Sequence, residues 1–341
     1  MKMFNISIVA AAALLASLAS CSEKVCKLEG KVLNISDLKN PAVWVLASRT
    51  EIDTIAVENG KFSYSCPVDD TKMLSVILTN DGKPVSPRHS VRFVPDAGKI
   101  SVVLDTLSTV TGSPLTDKID ALFEEARNAG RQNGRDAYLE FCKNAYRENC
   151  KTIVGERMLQ NIFPSLSVAE MDEFMAMGTE NVRNNESYQR MRKDKIASEA
   201  TAVGSMFIDF SGVTPEGKAV NLSDFVGKGR LTLVDFWASW CGPCMASMPG
   251  MVNLWNKWHA KGLDIVGVAV WDKDNSGSRV KIQEKGMLWP QIFVGEDNTA
   301  TEVYGISGIP HVILFDEEGK ILLRGIPNEE EIQNFVAERL K

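Results

Sequence analysis

The spacing of apolar positions changes character along this chain, and each change predicts a different kind of element. From Cys26 to about Val110 the apolar residues come in short β-branched runs: Val43–Leu46, Ser75–Leu78, Ser90–Val94 and Ile100–Leu104. Turn signals at Asn59-Gly60, Asp81-Gly82 and Ala97-Gly98-Lys99 separate them. Phe62 and Tyr64 alternate with Ser63 and Ser65, the two-residue period of a half-buried strand. This texture predicts a small antiparallel β-sandwich, ended by Gly112-Ser113-Pro114. Glycine and proline then thin out and the period lengthens. Leu122, Ala126 and Ala129 suit one helix face, and Tyr138, Phe141, Cys142 and Ala145 suit a second. Ser167 and Glu170 have the spacing of a capping box, and the mostly polar run 181–200 reads as a linker helix. From Gly204 strands and helices alternate. Leu231–Phe236 reads as a buried strand, Pro243–Lys261 as a helix and Leu263–Val270 as a near-continuous apolar strand of the parallel, doubly covered kind. A helix near Ser278–Lys285, a hairpin around Glu318-Gly319 and a closing amphipathic helix over Glu329–Leu340 complete an α/β order.

The start of the chain has a different logic. Lys2 precedes an apolar run from Ile6 to Ala16, shorter than the roughly 20 residues that span a bilayer. A positive start, an apolar core and small residues read as a secretory signal. The segment Leu18-Ala19-Ser20-Cys21 resembles the lipobox of bacterial lipoproteins, which implies cleavage before Cys21 and lipid on its sulfur. By the same resemblance, Ser22 rather than Asp after that cysteine implies sorting to an outer membrane, facing the periplasm. The chain then divides into a signal peptide (1–20), a β-sandwich-like domain (21–112), a helical segment or linker (113–203) and an α/β domain (204–341).

Charge and composition narrow the chemistry. There are 38 Lys and Arg against 44 Asp and Glu, a net charge of −6, which offers no basic surface on average for a nucleic-acid partner. Three histidines leave little for a histidine-built zinc site, and seven cysteines are an odd number.

Trp240-Cys241-Gly242-Pro243-Cys244 is the strongest motif. Two cysteines three apart at a helix start lie within one turn, so their sulfurs can close a small disulfide or open to a dithiol. Cys241 falls where backbone N–H groups lack intrahelical partners and the helix dipole is positive, and both favour the nucleophilic thiolate. Pro243 suits the first turn because its missing N–H would be unpaired there anyway. Attack by Cys241 on a substrate disulfide gives a mixed disulfide, which Cys244 resolves. A zinc knuckle would need a second cysteine pair at ligand spacing. Cys142 and Cys150, or Cys26 and Cys66, do not supply one. No metal or cofactor is expected beyond the redox-active disulfide.

Val234-Asp235-Phe236-Trp237-Ala238-Ser239-Trp240-Cys241-Gly242-Pro243-Cys244 resembles the thioredoxin active-site segment nearly residue for residue. The region 204–341 resembles the envelope-anchored thioredoxin-like family of thiol-disulfide oxidoreductases (TlpA/ResA-like), and the preceding β domain and helical insert resemble leader regions of its lipoprotein members. The resemblance implies a thioredoxin-like fold and a role for three further positions. Asp235 corresponds to the buried acid beneath the cysteines, with a raised pKa and proton transfer to or from Cys244. Pro310, after Gly308-Ile309, corresponds to the cis-proline facing the sulfurs, and leaves Ile309 backbone groups to pair with an extended substrate. Trp240 corresponds to the aromatic contact surface beside the nucleophile, with Gly242 and Pro243, whereas Trp237 suits core packing. His311, where relatives carry small hydroxyl residues, tunes the thiolate or meets substrate, or else is an exposed strand residue. Met245 replaces a frequent basic residue. Asn221 stands where cytochrome-maturation members carry an acid.

The resulting expectation is a lipoprotein that reduces protein disulfides in the envelope. It would be kept reduced by a membrane electron donor of the thiol reductase type. One alternative is a thiol peroxidase of the peroxiredoxin-related group, although Ala238 stands where its threonine would be. Another is a non-enzymatic envelope binding lipoprotein. Cys26 and Cys66 could bond only if their strands are neighbours. Cys142 and Cys150 on one straight helix would sit about 12 Å apart, too far to bond. Core thiols are the default for these four.

Overall fold

The computed structural model describes residues 24–340 apart from Ile35, Arg49, 86–88 and Pro327, so the signal segment and Cys21 lie outside the described residues. The chain forms two compact units, the first ending at Ile162 and the second beginning at Phe163.

The first unit carries β1 (Val25–Val32), β2 (Pro41–Leu46), β3 (Ile52–Ala56), β4 (Lys61–Pro67), β5 (Leu74–Asn80), β6 (Lys83–Pro84), β7 (Ser90–Phe93), β8 (Lys99–Leu104) and β9 (Thr109–Thr111). These make two sheets, ordered β4-β1-β8-β9 and β3-β2-β5-β6, with β7 also on β5. Both sheets send side chains into one core that includes Leu28, Val43, Val45, Val76, Phe93 and Ile100. In β1 every second residue is buried, as the pleat requires. Gly30 lies opposite Phe62, and a Cβ there would come within 2.0 Å of the ring, so the glycine makes room for the aromatic. Most pairings are antiparallel, but β1 runs parallel to β8. Alternation reads the same in either chain direction, so the sequence pattern could not show this.

Three helices close this unit: α1 (Pro114–Asn133), α2 (Arg135–Asn149) and α3 (Ile153–Ile162). The start of α1 is clipped to the end of β7. Val94 N–H donates to Thr116 Oγ1 at 2.9 Å, and Ser113 Oγ donates back to Val94 O at 2.9 Å. Ile119, Ile153 and Val154 pack with Val94.

The second unit opens with α4 (Val168–Met177), α5 (Glu180–Arg183) and α6 (Glu186–Ala200). Ser167 and Glu170 form the expected capping box on α4. The polar run 181–200 is two helices rather than one, broken at Asn184 and recapped by Asn185. The C-terminal end of α6 is tied down by Arg324, whose guanidinium donates to the carbonyls of Ser198, Thr201 and Tyr304.

The remaining elements are β10 (Ser211–Val213), β11 (Ala219–Asn221), β12 (Leu231–Trp237), α7 (Gly242–Trp258), β13 (Leu263–Val270), α8 (Ser276–Lys285), β14 (Gln291–Gly295), α9 (Thr299–Val303), β15 (His311–Asp316), β16 (Ile321–Gly325) and α10 (Glu329–Arg339). Among the described residues they form a seven-stranded mixed sheet ordered β11-β10-β14-β13-β12-β15-β16. β12, β13 and β14 are parallel, and β15 is antiparallel to β12. This is the thioredoxin-like α/β region, preceded by the sandwich and the helices. All seven residues of β12 are buried, because apolar clusters cover both sheet faces. One holds Leu233, Met248 and Val336, and the other Val234, Phe236 and Tyr304.

Candidate active site

The site is built where β12 ends and α7 begins. Cys241 caps α7, Gly242 opens it, and Pro243 occupies its first turn, where a missing N–H is harmless. Cys241 and Cys244 are joined in a disulfide with Cα atoms 5.3 Å apart. The Cys244 backbone N–H donates to Cys241 Sγ at 3.2 Å. A helix-end donor therefore already points at the sulfur that would carry charge in the dithiol form. Cys241 is 4% exposed and Cys244 is fully buried, so an incoming group reaches Cys241 first.

Asp235 lies on β12 with Leu231, Leu233 and Trp237 at odd positions. Those three share a cluster with Cys241, Cys244 and Met248, while Val234 and Phe236 face the other way. Strand alternation therefore turns Asp235 toward the sulfur side. It is buried and its Oδ2 has no hydrogen-bond partner. Burial alone pushes its carboxyl up to about 7.

The Ile309–Pro310 peptide is cis. Ile309 packs against the cluster that contains both cysteines. Trp240 is 63% exposed, with its indole Nε1–H donating to Trp271 O at 3.2 Å. Trp237 is fully buried and donates to Gln291 Oε1 at 3.1 Å. A side chain at Gly242 or Gly308 would meet nothing within 4 Å, so the backbone is open there. His311 opens β15 and is half-buried with Nε2 unpartnered. Burial, and then the charge of Arg324, push its imidazole down to about 4, so it is neutral near pH 7. Asn221 sits on β11, its Oδ1 accepting from Ser211 Oγ at 2.7 Å.

Asp272 was not anticipated. It is buried just past the end of β13 and accepts from Ser239 N–H at 3.2 Å and Ser239 Oγ at 2.8 Å. It also accepts from Ser278 Oγ on α8. With Trp240 held on Trp271 O, both residues before Cys241 are fixed to the segment after β13. The available signal was an acid at the carboxyl end of a central parallel strand, where α/β sites collect.

Cys26, Cys66, Cys142 and Cys150 are free thiols. Among the described residues no group of three or more His, Cys, Asp or Glu could hold a metal ion. No described helix is long and apolar enough to cross a membrane.

Comparison with known proteins gives two family matches. Residues 203–324 match the AhpC/TSA family, and 26–119 match a domain of unknown function (DUF4369). Over 142 residues the chain is 28% identical to the thiol-disulfide oxidoreductase ResA of Bacillus thuringiensis subsp. konkukian, covering 40% of this chain and 79% of that protein. It is 30% identical over 136 residues to ResA of Geobacillus thermodenitrificans, covering 39% of this chain and 76% of that protein. The chain belongs to the ResA-type thiol-disulfide oxidoreductase family. Among solved structures, the thioredoxin domain of a thiol-disulfide oxidoreductase from Bacteroides vulgatus is similar. It has 32% identity and a TM-score of 0.38, and the match covers 41% of this chain and 99% of that one. As a family member the chain is a thiol-disulfide oxidoreductase, and its redox centre is a pair of cysteines. The bonded pair is Cys241–Cys244.

Proposed function

We propose that this enzyme works as a disulfide reductase in a bacterial envelope, anchored through lipid on Cys21 and facing the periplasm from the outer membrane. Cys241 is the nucleophile. Its thiolate attacks one sulfur of a substrate disulfide and expels the other as a thiolate. Cys244 then attacks Cys241 Sγ, which releases the second substrate thiol and closes Cys241–Cys244. Asp235 takes the Cys244 proton in that second step. A membrane dithiol donor of the thiol reductase type reopens the pair, supplying two electrons and two protons.

The observation that carries this reading is the Cys244 N–H directed at Cys241 Sγ at the head of α7, with a buried carboxyl whose Oδ2 lacks a partner on the same side of β12. Trp240, Gly242 and Pro243 on one side, and Ile309, Pro310 and His311 on the other, are the surfaces proposed to seat an extended substrate segment. The Gly242-Pro243 dipeptide is the one found in reducing thioredoxins, which supports the direction. The N-terminal domains are proposed to follow the signal peptide, sandwich, helical segment and α/β order of the sequence boundaries.

Redox titration of the Cys241–Cys244 couple tests the direction. A potential near thioredoxin's, about −270 mV, is expected, and one near that of a strong oxidant, about −120 mV, overturns the reading. Mixed disulfides trapped by Cys244→Ser in cells identify the substrates.

A further inference from the structure

The seven cysteines leave four unassigned, and two of these face each other. β1 and β4 pair antiparallel, with Cys26 directly opposite Cys66. The ladder identifies the kind of pair. Val32 N–H donates to Gly60 O at 2.8 Å, and Val68 N–H donates to Lys24 O at 2.8 Å. Hydrogen-bonded pairs recur every second residue, so Cys26 and Cys66 form one, with Cα atoms about 5.5 Å apart. That Cα separation lies within the usual range for bonded cysteines, and the Cβ atoms, about 5.5 Å apart in such a pair, reach bonding distance with about an ångström of strand movement. Both side chains belong to the core side of the sheet. Cys26 is fully buried, and Cys66 packs partly buried against the same cluster. The two thiols are within hydrogen-bonding reach of each other.

We propose that Cys26 and Cys66 are a second thiol–disulfide couple of this protein, closing as a cross-strand disulfide between β1 and β4. The oxidant is a protein or small-molecule disulfide. Cys66 is the partly exposed member and reacts first. Its thiolate attacks a sulfur of the oxidant and expels one thiolate, leaving a mixed disulfide on Cys66. Cys26, already opposite, loses its proton and attacks Cys66 Sγ, which expels the second thiolate. Two protein thiols are oxidised, one external disulfide is reduced to two thiols, and the two protons pass to the leaving groups. Burial pushes both thiols up, Cys26 to about 12, so closure is slow beside reaction at Cys241. The other two cysteines are a built-in control. Cys142 lies inside α2 and Cys150 caps its end eight positions on, too far along the axis to bond.

The test uses the full chain, equilibrated with oxidised glutathione, alkylated under denaturing conditions and digested without reduction. A peptide containing residue 26 linked to one containing residue 66 is expected, with Cys142 and Cys150 alkylated. The same product is expected in a Cys241→Ser/Cys244→Ser background, which excludes reshuffling through the catalytic pair. Alkylation of both Cys26 and Cys66 after long exposure overturns the proposal. So does glutathione held stably on Cys66, since Cys26 would then have failed to resolve it. Closure inside the cell rests on the envelope location proposed above and is read separately by acid quenching at harvest. A linked pair at harvest supports both. Closure in vitro with free thiols at harvest supports the couple and counts against the location.

Discussion

Replacing Asp235 by Asn should stabilise this enzyme at neutral pH while slowing it. The carboxyl is fully buried without a cation or hydrogen-bond partner at Oδ2, and its pKa moves from 3.8 to about 7. Roughly three pKa units at 1.36 kcal/mol each correspond to about 4 kcal/mol between the two protonation states. The sign follows from proton counting. Between about pH 4 and pH 7 the folded chain keeps a proton on Asp235 that the unfolded chain has lost, so stability falls as pH rises through this window. Above it the ionised carboxylate is held at a cost of up to about 4 kcal/mol, and Asn removes that cost. The gain is smaller than the limit because the amide also lacks partners. Urea unfolding of the oxidised protein, followed by tryptophan fluorescence, is a suitable assay. Of the seven tryptophans only Trp44 lies in the first unit. The Asn variant should match its parent near pH 4 and exceed it near pH 8. Disulfide reduction by the variant should fall about 100-fold at pH 7 and lose its limb near that pH, the scale of one missing proton-transfer group. Mixed-disulfide formation in a Cys244→Ser background should be unaffected. An equal stability change at both pH values, or a loss at pH 8, would refute the reasoning, since Asp235 would then be paired or normally ionised.

Asp272→Ala should cost about 3 kcal/mol in urea unfolding, because it leaves the Ser239 N–H and two hydroxyls without an acceptor. Asp272→Asn keeps one acceptor and should cost less. His311 is neutral when folded until about pH 4 and titrates near 6.5 when unfolded. The unfolded chain therefore binds more protons between those values, and stability should fall as pH drops from about 6.5 to about 4. His311→Gln should flatten that limb, and a rate limb at pH 6.5 that disappears in the variant would contradict a neutral imidazole. The AhpC/TSA match makes peroxide turnover worth measuring. No consumption of hydrogen peroxide is expected from Cys244→Ser, and sustained turnover would favour the peroxidase alternative.

Much of the site was legible because its causes are local. The CxxC pair, the apolar run of β12 and the proline after Gly242 act within a few residues of themselves, whereas Pro310 stands out only through the resemblance to thioredoxin-like proteins. Leu263–Val270 appears as a strand with the boundaries its apolar run suggested. The Ser167–Glu170 box closes within one helical turn. Short strands escaped the sequence reading. β10 and β11 have three residues each, and β14 has Gln291 and Gly295 at its ends, too little pattern to separate from loop.

What the sequence determined by itself is therefore the chemistry: two cysteines one helical turn apart, at a helix start, after a buried strand bearing an acid. What only the tertiary structure decided is which distant groups share a space. It set the direction of β1 beside β8, the meeting of Cys26 with Cys66, the bond from Asp272 to Ser239, and the neutral state of His311. Turns, caps and alternation are set by neighbours along the chain, and a sequence displays them directly. Register between strands far apart in the chain depends on the summed packing of both faces, and burial sets a pKa only once those faces have closed.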